Sequence, residues 1–508
     1  MNLLLSRRRL VAGAATLPLA PGLARAARQP GTLSFGLSSY PPNLSPWAST
    51  GTAALTVKIQ VHRGLLSFGP DAKVRGELAE SWTRDGDHGW IFKLRPATFH
   101  NGAPVTSADV QWSIGQIAGE KSTAYLRGQF QDIQTVETPD PATLRIVTKS
   151  PIVTLPLLLA SPFAFVLAKG STEGGGQPIG CGPYTITNQE RGVAIDLTAF
   201  DKFYKPGKPK LKKVRFVAYP DENLRVAALQ AGDVDIIEYV PWQAMAAIGA
   251  DKKLKLSTTD GPYMALAFNG ANGPFEKEEL RQAVAFAIKR EEVVQAAFYG
   301  RGTVLEGPPI PKVSEYYSDK YAHVWAYDPD RAKHLMTEAG MANGFSCTLL
   351  STAQYGMHKA TAEVVQQHLA KVGINVTLNL PDWPTRVTLG NRGQYEMCVQ
   401  GQAADNNDPD GLSSYIDCEL PPDNSRSFGI HTPRIHELLA QGRAEFDQAK
   451  RRATYDEVQS LVIKQVPLAG LCWRAQGYGM AADVTGFANL PGGLNFYSGY
   501  SLEDVAFA

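Results

Sequence analysis

The chain has 508 residues with 44% hydrophobic composition, enough apolar material for large cores yet more than one domain usually holds, so two or more lobes are expected. Its 50 basic and 49 acidic residues leave a formal net charge of +1, which provides no field to hold a phosphate backbone and excludes nucleic acid as an expected partner. Five cysteines, Cys181, Cys347, Cys398, Cys418 and Cys472, lie far apart without zinc-type spacing, so no metal site or cofactor is expected from them.

Elements follow in chain order. Ser6-Arg7-Arg8-Arg9 precedes a short apolar run and the small-residue site Ala24-x-Ala26, which together resemble a twin-arginine export signal over residues 1–26. An ordinary secretory signal leads to the same compartment. The run is too short to span a bilayer, and no cysteine precedes Cys181 to take a lipid, so a periplasmic protein without a membrane anchor is expected. Residues 32–37 read as a strand, the proline-rich stretch 40–46 as a loop, 53–65 as a helix and 90–94 as a strand. Further on, 211–218 and 374–380 read as strands, and 280–299 and 360–372 as amphipathic helices, so the chain is mixed α/β. Two breaks stand out, 169–178 and 269–273. Neither internal repeats nor low-complexity tracts appear.

The polar turn 401–410, Gly-Gln-Ala-Ala-Asp-Asn-Asn-Asp-Pro-Asp, follows the strand-like 396–400 and is the strongest candidate for ligand contact. Turns at strand ends are where α/β sheets usually bind ligands. A solvated surface turn is the alternative. Ser49-Thr50-Gly51-Thr52 offers hydroxyls and backbone N–H groups ahead of a helix, or a plain N-cap.

From residue 64 the pattern becomes specific. Gly64-Leu65-Leu66, Leu78-Ala79-Glu80-Ser81-Trp82, Phe92-x-Leu94-Arg95 and Phe99-x-Asn101-Gly102-x-Pro104-Val105-Thr106-x-x-Asp109-Val110 resemble the signature of the bacterial family 5 extracellular solute-binding proteins. Gly180-Cys181-Gly182-Pro183-Tyr184, Phe268-Asn269, Leu280-Arg281-Gln282-Ala283 and Tyr327-Asp328-Pro329 resemble later blocks of that family. The resemblance implies a two-lobed periplasmic-binding-protein fold with two crossover segments and an extra inserted subdomain. Lobe one would comprise 27–62, 181–270 and 476–508, the inserted subdomain 63–180, and lobe two 271–475.

It also implies a role: a monomer that captures a small peptide or peptide-like solute between its lobes and delivers it to the permease subunits of an ABC importer. In that family a carboxylate matching Asp405 pairs with the ligand's ammonium, while Asp408 and Asp410 are expected to face water. Gln402 stands where relatives usually carry Trp, and no arginine occupies the Gln354-Tyr355 position. Those departures favour a more polar solute. Trp383 matches a pocket tryptophan of the family; Ser49, Thr50, Gly51 and Thr52 match a ligand-contacting loop, and Tyr125 and Tyr355 are weaker candidates. The alternatives are a non-peptide solute (oligosaccharide, opine or polyamine-like) and a metal chelate, for which His431 and His436 form no recognisable ligand set. No nucleophile elbow, zinc-protease helix or Walker loop occurs, so an enzyme is not expected.

Overall fold

A computed structural model describes residues 30–508. The export signal and its cleavage site therefore lie outside the described residues. Strand 32–37 forms as expected, and its inward Leu33, Phe35 and Leu37 are buried. It is central to an eleven-stranded sheet ordered Tyr184–Glu190, Ala194–Ala199, Lys213–Ala218, Thr32–Leu37, Ile236–Ile237, Leu468–Ala481, Leu254–Phe268, Met397–Gln402, Phe345–Leu350, Ile374–Asn379, with Gly302–Val304 paired beside Leu468–Ala481.

Two long strands carry this sheet from one half of the molecule to the other. Leu254–Phe268 and Leu468–Ala481 pair antiparallel from Leu254↔Ala481 to Asp260↔Ala475, slip, and resume at Tyr263↔Trp473. Each half of the ribbon has its own neighbours. Ile236–Ile237 pairs with Gly479 and Met480, whereas Met397–Gln402 pairs with Phe268 through Tyr263. At the slip, a Cβ on Gly261 would lie 2.1 Å from the Gly492 carbonyl oxygen, so glycine is what lets the terminal 3-10 segment Gly492–Asp504 cross there.

A second, antiparallel sheet orders Ala79–Asp85, Gly89–Leu94, Thr143–Thr148 and Ile133–Asp140. The helix Ser107–Ala118 packs on it, started by Asp109, whose carboxylate accepts from the Thr106 N–H at 2.9 Å. Its core is continuous with Leu494, Tyr497 and Tyr500 of the terminal segment. Behind that core, Arg63 donates to Glu503 at 2.8 Å, and Lys205 bridges Glu503 and Glu77 at 2.7 and 2.8 Å. Burial pushes the Glu77 carboxyl up, but Lys205 and Arg63 outweigh it and hold the pKa well below the ordinary 4.5. A depressed carboxyl stabilises the fold above its unfolded pKa and loses that contribution as pH falls. Acid titration of the melting temperature should therefore show a loss below about pH 4.5 that Glu77→Gln flattens; identical profiles would refute this role.

Two helix expectations need correction. The helix expected over 53–65 is Thr52–Val61, because His62 turns extended and Arg63–Gly64 pairs as a strand with Phe165–Val166. The helix expected over 280–299 is two, Glu278–Ala287 and Arg290–Phe298. At the break Ile288 is extended, and the buried Arg290 guanidinium donates to the carbonyls of Ala285, Ile288, Leu305, Trp325 and Gly470. All five thiols are unpaired. Among the described residues no helix is long and apolar enough to cross a membrane.

Candidate functional site

The strand Met397–Gln402 ends at the turn that carries Asp405. Asp405 accepts from the Tyr125 hydroxyl at 2.9 and 3.0 Å on its two oxygens, joining the turn to the small-sheet region. No cation pairs with it among the described residues. Burial raises its pKa, and the Tyr125 hydrogen bond opposes that only in part. Burial, Asp405 and the neighbouring Tyr415 phenol together push the Tyr125 pKa up, so its proton stays in place as a donor. The next residues extend the junction. Asn407 Nδ2 donates to the Pro491 carbonyl at 3.1 Å, and the Gly493 N–H donates to Asn407 Oδ1 at 3.0 Å.

Asp408 and Asp410 do not face water, contrary to expectation. Asp408 takes a two-point ion pair from Arg451, at 2.7 and 2.8 Å, with both side chains nearly buried. Asp410 takes one from Arg443 at 2.7 and 3.0 Å and faces Thr154 Oγ1 at 3.4 Å. Both partners stand in the chain beyond 440, on segments that periodicity alone did not bring to this turn. The resulting frame holds the backbone that presents Asp405.

Gln402 hydrogen-bonds the Gln400 amide oxygen at 3.2 Å and the Ser425 carbonyl at 3.4 Å. Gln400 in turn accepts from Arg386 at 2.9 Å, which connects Asp405's strand to a second group of side chains. Trp383 opens the helix Trp383–Asn391, whose N-cap Asp382 accepts from the Thr385 N–H at 2.8 Å. Tyr355 meets the Trp383 ring at 5.3 Å, His358 at 5.6 Å, and the Arg386 guanidinium lies 4.9 Å over it. Arg386 is fully buried yet holds only neutral acceptors: Asn424 Oδ1, the Val399 carbonyl, Gln400 Oε1 and Cys398 Sγ.

Of the loop 49–52, Thr52 lies beside the Tyr239 hydroxyl. Tyr239 is in the left-handed region at φ 50°, a strained conformation for a tyrosine, while Arg225 grips the carbonyls of Tyr219, Glu238 and Tyr239 at 2.7–3.1 Å. Its ring stacks on Phe496 with centroids 5.9 Å apart. Thr50 instead accepts from Lys58 at 3.3 Å, a lysine that also binds the Ala48 carbonyl and whose pKa burial lowers to about 8. Ser49 and Gly51 are exposed, and Gly51 is the helix N-cap at φ 90° without a side-chain cap. Sequence reasoning missed Tyr239, His358, Arg386, Tyr415 and Arg474. Arg474 had a signal, as the one cation in the largely apolar run 468–481; the rest depend on tertiary placement.

The sequence profile of the bacterial extracellular solute-binding proteins, family 5 Middle, matches residues 73–419. The chain belongs to this family. It is a solute-binding protein of the ABC-transport type, in a family that binds solutes rather than converting them. It is 27% identical to the glutathione-binding protein GsiB of Pectobacterium atrosepticum, over 91% of each chain. The binding protein AgaA of A. tumefaciens R10, solved with agropinic acid, is 39% identical, with a TM-score of 0.82 over 94% of this chain and 99% of that one. The Helicobacter pylori binding protein DppA, solved with the peptide STSA, shares the fold at a TM-score of 0.78 and 20% identity, over 94% and 98%. The two-lobed α/β class is thereby that of the family.

Proposed function

We propose that this protein is the periplasmic receptor of an ABC importer, exported by its twin-arginine-like signal, and that it closes on a small peptide-like solute held between Asp405 and the Trp383 cluster. The observation that carries this reading is Asp405 itself: a partly buried carboxylate, bound to one phenol and, among the described residues, to no cation, standing where the two regions of the molecule meet. Such a group is suited to an ammonium or another strong donor on the ligand. In this reading Trp383, Tyr355 and Gln402 would contact the solute from one lobe, and Thr52 with Tyr125 from the other. The lobes would hinge where the long ribbon slips, at 260–263 and 473–475, which moves the expected lobe boundary inward from 270/271 on the first strand.

An opine acid is the second reading, favoured by the 39% identity to the agropinic-acid complex and by Gln402 in place of an aromatic platform. Either solute is released unchanged, and the permease subunits of the importer are the partner. Small-angle scattering tests the mechanism. Titrating the mature protein with glutathione, agropinic acid and short peptides should contract its radius of gyration for whichever binds by calorimetry. Binding without contraction would exclude closure as the mechanism.

A further inference from the structure

The strand Leu468–Ala481 carries one cation, Arg474, a residue only 8% exposed. Its guanidinium makes one hydrogen bond among the described residues, from Nη1 to Met357 Sδ at 3.1 Å, and its Nε has no partner. A thioether is a weak acceptor, and an uncompensated buried charge is among the most costly groups a fold can hold. Other buried arginines here have more acceptors: Arg63 meets two glutamates, Arg290 five carbonyls and Arg386 four neutral acceptors. Burial lowers its pKa, opposed only in part by a phenol and a thiol, Tyr239 and Cys472.

Its position is as telling as its isolation. Arg474 lies at the slip in the ribbon, between Ala475, paired with Asp260, and Trp473, paired with Tyr263, and it sits near Tyr239, Met357 and His358. His358 is 3% exposed with an unpartnered Nδ1. Burial, then the charges of Arg474 and Arg386, push its pKa down to about 3, so it is a neutral imidazole able to add a hydrogen bond without adding charge.

We propose that Arg474 is the counter-charge for a carboxylate or similar oxyanion on the solute, gripped between Arg474 and His358 as the lobes close. The inference rests on the solute-binding reading above and specifies its ligand class. A guanidinium meets a carboxylate through two parallel N–H···O bonds, a pairing stronger than neutral ones and selective for planar oxyanions. Asp405, without a cation, supplies the opposite charge. Gln402, Tyr263 and Trp473 are neighbours across three strands, so the strands carrying the two charges are separated by two interstrand spacings, about 10 Å. The solute is thus an acid with a donor group several bonds from its carboxylate.

Thermal-shift and calorimetric titrations of the mature protein test this, with sodium acetate against sodium chloride at equal ionic strength, and with glutathione and agropinic acid against their methyl esters. Acetate and at least one acid should stabilise the wild type while the esters do not; Arg474→Met should weaken the acid by about 100-fold and Arg474→Lys by less. Scattering from unliganded Arg474→Met should show a more contracted form than unliganded wild type, since no bare cation then opposes closure. Esters binding as well as acids, or acid affinity within about threefold in Arg474→Met, would overturn the anion inference and leave the receptor reading intact. If acids and acetate fail but an uncharged peptide amide binds, the anion inference also falls alone. A wild type that binds none of these solutes removes both.

Discussion

Arg451→Met should destabilise the protein by about 3–5 kcal/mol, the usual cost of leaving one member of a buried ion pair without its partner. The exposures of the two side chains, 6% and 10%, put this pair well inside the regime where desolvation governs the outcome. Removing the guanidinium strands Asp408 in a site where burial already raises its pKa, and it also takes away donors to the Tyr316 and Tyr455 hydroxyls. Asp408 has a second task, accepting from the Asp410 N–H at 2.9 Å to start the turn after it. The double variant Arg451→Met/Asp408→Asn keeps that acceptor without the charge and should recover much of the loss. Urea denaturation of both variants decides the matter. A single variant with the wild-type midpoint would show that the pair contributes nothing.

Asp405→Asn should weaken the authentic solute by tens-fold to thousands-fold, about 2–5 kcal/mol, with the fold intact. Tyr125→Phe separates two roles for this carboxylate. If Asp405 serves only as the acceptor for Tyr125, the two substitutions should weaken binding alike; if it also meets a cationic group of the solute, Asp405→Asn should be far worse. pH adds an independent reading. Desolvation places the folded pKa of Asp405 above the ordinary 3.8. Affinity for a cationic group should therefore hold at neutral pH and fall as pH drops through that raised value, because protonation removes the charge the ligand needs. The same protonation eases unliganded closure, so the empty protein should be more contracted in mild acid. Calorimetry across pH that showed unchanged affinity for a cation-bearing solute would exclude the charge pairing.

The sequence was most legible where local pattern and packing agree. Strand 32–37 alternates around Phe35 and was read correctly, and 374–380 differs from the strand Ile374–Asn379 by one residue. It was least legible where a distant group dictates the backbone. The break after Ala287 exists because carbonyls from 305, 325 and 470 converge on Arg290, and no window around 280–299 contains that information. Asp408 looked like a solvated turn residue because its partner is 43 positions away. The candidate site divides in the same way: Asp405 and Thr52 stand in segments that local turn and helix-start patterns single out, Trp383 follows from the family resemblance, Tyr355 and Tyr125 are weaker candidates, and the structure joins Asp405 to Tyr125 and Tyr355 to Trp383 and sets Thr52 beside Tyr239. Arg474 and Tyr239 matter through what surrounds them, burial without an anion in one case and a strained backbone in the other.

The turn 405–410 has a further consequence for how this protein can be altered. Loops usually tolerate changes in length because little depends on where their tips lie. This one is fixed at four of its six residues by separate parts of the chain: Tyr125 at Asp405, Pro491 and Gly493 at Asn407, Arg451 at Asp408, Arg443 at Asp410. One added residue would put at least one of these partners out of reach, whereas the exposed glycines at 174 and 175, both at positive φ and with open space around them, impose no such register. A reporter domain or affinity handle belongs at 174–175, and the length of 405–410 should be left alone even where its side chains are exchanged to redirect the receptor to another solute.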